Sequence, residues 1–176
     1  MATIVRINRA PVLTLLATIV AERSGFDWEE ALTLGRAVAG LNAYSKGVHL
    51  GMYEPTPQAE MERRKAARGG ETLHIALLGR AVPAVQTAEG IRALEKEKPS
   101  NPASVERYLR SKFGEDFDAA KEAMERLANS FTPRDLARVG FQLYEQLRPT
   151  IPAGTKGWGA AGELNLDVIA KLVDAE

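Results

Sequence analysis

Between Pro11 and Arg23 the apolar positions Val12, Leu15, Leu16, Ile19 and Val20 follow helical spacing, and Leu13 widens the stripe until the segment is apolar nearly all round. This predicts a central helix over 11–23, with Pro11 in a first turn that needs no amide donor. A second helix is predicted over 28–44, capped by Asp27 and carrying Glu29 and Glu30 in the first turn, where the helix dipole favours anions. Within it Ala31, Gly35, Ala39 and Ala43 recur at every fourth position, a stripe of small side chains that lets another helix approach closely. The link Ala21-Glu22-Arg23-Ser24-Gly25-Phe26-Asp27 is spelled like a helix-turn-helix corner, with Gly25 supplying the unusual backbone angles of the turn.

The pattern then changes. Ile4–Ile7 reads as a short strand or extended arm, Gly47–Pro55 as a loop, and Thr56–Gly70 as a third helix with few apolar positions. Thr72–Leu78 alternates, which predicts a strand. Gly79-Arg80 suits a tight hairpin turn, and Ala81–Thr87 returns as a strand that Pro83 confines to a sheet edge. Ile91–Leu94 fits either a third strand or the start of a helix. Glu95–Asn101, charged and ending in Pro-Ser-Asn, is the best boundary.

Beyond it the chain is helical. Asn101-Pro102 opens a helix carrying Val105, Tyr108, Leu109 and Phe113, and Phe117, Ala120, Met124 and Leu127 mark the next. Thr132-Pro133-Arg134-Asp135 is a helix start with Phe131 and Leu136 as its hydrophobic staple. A Pro/Gly-rich loop over Ile151–Gly162 precedes a last helix near Asn165. The expected fold is mainly α, in the α+β class: a helix-turn-helix-like unit with a small β-hairpin over 1–98 and a helical bundle over 99–176, or one continuous domain.

Composition narrows the function classes. Lys+Arg and Asp+Glu both number 23, so the net charge is zero and a surface that is cationic throughout is excluded. Residues 1–98 hold 13 basic and 11 acidic groups, so any nucleic-acid site must be local. The absence of cysteine excludes disulfides, thiol chemistry and Cys-based zinc sites. Pro11–Ala21 is about half the length of a membrane span, and no small-residue cleavage pattern follows it. A cytoplasmic protein without a membrane segment is expected.

Few residues carry candidate chemistry. Gly157-Trp158-Gly159-Ala160-Ala161-Gly162 matches Gly-x-Gly-x-x-Gly, but no strand precedes it and the chain ends before an acidic partner. It reads as a loop anchored by Trp158. His49 and His74 lack metal-ligand spacing. His74 alternates away from Leu73 and Ile75 and should face solvent or a partner layer, and His49, near Tyr53, marks the place where an enzyme site would be sought. Glu115, Asp116 and Asp118 suit a helix start. No catalytic residue, cofactor or metal ligand is therefore assigned.

The basic segment is sharper. Arg63, Arg64, Lys65, Arg68 and Arg80 face only Glu71 within residues 63–80, an excess of four positive charges. A basic helix followed by a hairpin has the order of a winged helix, with these five residues on DNA phosphates and base edges. The helix over 28–44 is a poor reader, because Glu29 and Glu30 would meet phosphates. A winged-helix-like DNA-binding or regulatory protein, non-enzymatic, is the leading expectation. The alternative is an interaction protein that homodimerises through helices 11–23 and 28–44.

Asn8-Arg9-Ala10-Pro11-Val12-Leu13 and the run from Ala31 to Ala43 resemble a conserved, uncharacterised bacterial protein family. The resemblance is clearest over residues 8–51. It implies an intracellular bacterial protein and brings no catalytic residue with it.

Overall fold

The computed structural model of the chain describes residues 4–49, 72–95, 98–150 and 162–174. Its class is mainly α with small antiparallel sheets, as the pattern predicts. Strand β1 (Ile4–Ile7) leads into α1 (Arg9–Arg23) and α2 (Trp28–His49). A meander follows: β2 (Leu73–Leu77), β3 (Arg80–Thr87), β4 (Gly90–Glu95) and β5 (Lys98–Pro99), hydrogen-bonded in that order. Then come α3 (Pro102–Phe113), a single 3-10 turn, α4 (Phe117–Asn129), α5 (Pro133–Leu147), β6 (Gly162–Asn165) and α6 (Leu166–Asp174). Strand β6 pairs antiparallel with β1, so the two ends of the described chain meet.

Helix α1 is the centre. Every residue from Pro11 to Ala21 is buried. Such a helix cannot leave a hydroxyl unpaired, and Thr14 and Thr18 donate to the carbonyls of Ala10 and Thr14 at 2.9 and 2.7 Å. Helices α2, α3, α4 and α5 all pack on it. The apolar core therefore draws on residues from both sides of the boundary expected at 98/99, from Val12 and Leu34 to Leu109, Met124 and Leu136. The turn after α1 forms as expected: Gly25 has φ +115°, and the Ser24 and Phe26 amides close on Val20 and Ala21 carbonyls.

The small-residue stripe is used inside the chain. Ala31 and Ala39 are buried, and Gly35 lies where α2 crosses α1 at Thr14 and Thr18. At the start of α2, Asp27 and Glu30 form a reciprocal capping box: the Glu30 amide donates to Asp27 Oδ1 at 2.8 Å and the Asp27 amide to Glu30 Oε1 at 3.0 Å. Glu30 Oε2 also accepts from the Ile91 amide at 2.8 Å, and Thr33 Oγ1 accepts from the Ala93 amide at 3.1 Å. Helix α2 thus covers with side chains the β4 amides that no strand pairs. Buried Arg92 completes the junction by donating to Glu29 at 3.2 Å. Glu29 and Glu30, which argued against α2 as a DNA reader, are held against the sheet. Replacing Glu30 by Gln leaves one acceptor oxygen for two amides, and should cost about 1 kcal/mol in urea unfolding.

Five local expectations are corrected. Helix α2 does not end near Tyr44 but runs on to His49, because glycine at position 47 weakens a helix by about 1 kcal/mol yet keeps its amide donor. The hairpin turn is Leu78-Gly79, closed by the pair Leu77 and Arg80, rather than Gly79-Arg80. Strand β3 is interior, not an edge. Pro83 is tolerated because pairing with β4 begins only at Ala84, so its own stretch is paired on the β2 side alone. Lys98–Pro99, within the expected boundary, adds a short strand to β4. Gly162–Asn165, expected partly as loop, is strand β6.

The helix starts follow their caps. Asn101 accepts from the Ala103 amide, Thr132 from the Asp135 amide, and Asn165 from the Asp167 amide. None of the described helices is long and apolar enough to cross a membrane.

Candidate ligand cleft

Helix α2 presents a second face beside the small-residue stripe. Thr33, Arg36, Ala37, Gly40 and Leu41 recur at the spacing of one helix side. They line a chamber of about 350 Å³, closed by Ala10, Pro83, Ala93, Leu94, Glu95 and Ser100. The volume lies at the small end of the range for ligand sites, about 300–1,000 Å³. It exists because alanine and glycine stand where larger side chains would fill the gap between α2 and the sheet. Thr33 is spent on backbone bonds, donating to Glu30 and accepting from Ala93, so this chamber is chiefly apolar.

A second, polar chamber of about 230 Å³ adjoins it and shares Arg36, Glu95 and Ser100. Its other walls are Asn101, Ser104, Val105 and Tyr108, from the start of α3. The Arg36 guanidinium lies 4.4 Å from the centre of the Tyr108 ring. Burial pushes the Tyr108 phenol above its ordinary pKa, partly offset by the charge of Arg36 and a hydrogen bond with it. Arg36 and Glu95 line the same cleft, yet no ion pair joins them.

Ser100 sits at the junction. It is 7% exposed, and its amide donates to the Ala93 carbonyl at 2.8 Å, but its hydroxyl has no hydrogen-bond partner among the described residues. The other buried polar side chains, Thr14, Thr18, Thr33, Asn42 and Arg92, are all satisfied. The hydroxyl is reached from the cleft and opens on both chambers.

No family model matches the chain, and neither a curated protein nor a solved structure gives a match. The cleft must be read on its own chemistry.

Of the residues expected to touch DNA, Arg63, Arg64, Lys65 and Arg68 lie outside the described residues. Arg80 opens β3, and its guanidinium donates to Asn42 Oδ1 on α2 at 3.2 Å. His74 is exposed on β2, as its alternation predicts. His49 ends α2 and does not lie in a loop; Tyr53 and most of the Gly-x-Gly-x-x-Gly run lie outside the described residues. Among the described residues no three His, Asp or Glu side chains gather to hold a metal ion.

Sequence reasoning missed the cleft. Arg36, Ala37, Gly40 and Leu41 were visible only as parts of a helix, and Ser100 as part of a Pro-rich boundary. The one available signal was the second stripe on α2, which has no use if α2 packs on α1 alone.

Proposed function

We propose that this chain is a non-enzymatic regulatory protein that binds a small amphipathic ligand in the cleft between α2, β4 and α3. Ser100, a largely buried residue whose hydroxyl faces the cleft and bonds to no described residue, carries the reading. It stands where an apolar chamber meets a polar one, so a ligand with an apolar body and a hydrogen-bonding head answers both. Ser100 and Glu95 both line the cleft, but no hydrogen bond joins them as a nucleophile and its base, which favours binding over chemistry. An environment-sensitive dye such as anilinonaphthalene sulfonate should bind and brighten with the native protein. Ala37→Trp, which fills the apolar chamber, should abolish the signal while far-ultraviolet circular dichroism stays unchanged. Equal fluorescence from both proteins would refute the reading.

A second reading is favoured by the charge run over 63–80. Arg63, Arg64, Lys65, Arg68 and Arg80 would contact DNA phosphates, and the cleft would hold the effector. A duplex titration at two salt concentrations tests it. Binding that weakens with salt and with the Arg63→Ala/Arg64→Ala double variant supports it, and no binding at low salt ends it.

A further inference from the structure

We infer that the cleft takes an apolar α-amino acid, with its α-carboxylate on Arg36, its ammonium on Glu95 and its side chain in the apolar chamber. The inference rests on the ligand-binding reading and adds the ligand's class.

The argument starts from charge. Half-buried Arg36 and exposed Glu95 are wall residues of both chambers, and no ion pair joins them. Opposite charges that share a small cleft without closing on one another leave room for a group bearing both signs between them. A simple carboxylate would satisfy Arg36 but bring a second anion beside Glu95. An amine would do the reverse beside Arg36, and a phosphate dianion would meet one cation and one anion. A zwitterion offers each of the two a partner of opposite sign.

Geometry agrees. The Arg36 guanidinium lies over the Tyr108 ring, 4.4 Å from its centre, and a guanidinium is a planar fork of donors suited to a carboxylate. Ser100, a largely buried residue at the same junction, offers its cleft-facing hydroxyl to a carboxylate oxygen. Beyond it Ala37, Leu41, Pro83 and Leu94 offer an apolar wall, in a chamber of about 350 Å³ that suits a side chain of leucine size.

Calorimetric titration with leucine, isocaproate, isoamylamine and glycine tests the assignment. Isocaproate lacks the ammonium, isoamylamine the carboxylate and glycine the apolar side chain. Leucine should bind at least about tenfold more tightly than each of the others. Arg36→Gln should weaken leucine and isocaproate but spare isoamylamine. Glu95→Gln should weaken leucine while isocaproate binds as well as before or better. If isocaproate matches leucine in the native protein, the amino-acid inference fails although the cleft still binds. If none of the four binds while the dye does, the inference fails again. If the dye also fails, the cleft reading falls with it.

Discussion

Gly35→Ala should destabilise the protein by about 2 kcal/mol, although alanine is the better helix former. At an exposed helical site the exchange would gain about 1 kcal/mol. At position 35 the added Cβ would stand 2.6 Å from the Thr14 carbonyl oxygen and 2.8 Å from the Thr18 amide nitrogen, both backbone atoms of α1. Neither can rotate away as a side-chain tip would. The helices must separate, and α1 has no free side to retreat into, since α4 and α5 pack on it as well. Overpacking of this kind typically costs about 1–3 kcal/mol, and here the loss spreads along the seam to Ala31 and Ala39. Gly40→Ala is the internal control. It lies on the same helix with nothing within 4 Å of its added Cβ, and should stabilise by up to about 1 kcal/mol. Urea unfolding of the two variants, with unchanged m-values, decides the matter. Equal behaviour would mean that the crossing is not close-packed at Gly35.

That contrast shows what was legible in the sequence. The period of four in Ala31, Gly35 and Ala39 announces a close helix crossing, and the structure puts α1 there. The caps at Asp27, Asn101 and Thr132 announce helix starts because a cap is a local bargain between a side chain and amides two or three residues on. Pairings set by distant partners left weaker traces. Strand β6 has a single buried leucine, Leu164, and becomes a strand because Val5 and Ile7 need a partner. Lys98–Pro99 becomes one because β4 runs beside it.

The cleft belongs to the same class. Its parts are unremarkable one at a time: an arginine on a helix, a serine before a cap, a proline in a strand. Only the fold sets Arg36, Ser100, Glu95 and Tyr108 around one space. Helix α2 makes this possible by dividing its surface, small residues toward α1 and Thr33, Arg36, Ala37, Gly40 and Leu41 toward the sheet. Glu30 and Thr33 hold β4 at the distance that keeps the space open. A change at that junction should therefore alter the shape of the cleft, and with it the proposed ligand binding, as well as stability.

The hairpin turn gives the second large effect. Leu78→Asn should destabilise by about 2–3 kcal/mol, although Asn-Gly is the preferred spelling for this turn. Leu78 and Gly79 have φ +49° and +78°, the two positive values that a two-residue hairpin of this twist requires. Leucine in that region costs about 1–2 kcal/mol relative to its usual conformations, and asparagine tolerates it better. On local grounds the exchange should help. Leu78, however, is 4% exposed, and its side chain reaches the Gly140 position on α5, where Val20 of α1 also arrives. Truncating a leucine buried this deeply costs about 2–5 kcal/mol, and the amide of asparagine would enter an apolar site without partners. Packing outweighs strain. Leu78 is the peg that fixes the hairpin to the helices, and Gly140 is the hole made for it. Thermal and urea unfolding of Leu78→Asn measure the balance directly. A variant as stable as the native chain would mean that the hairpin is held by its strands alone.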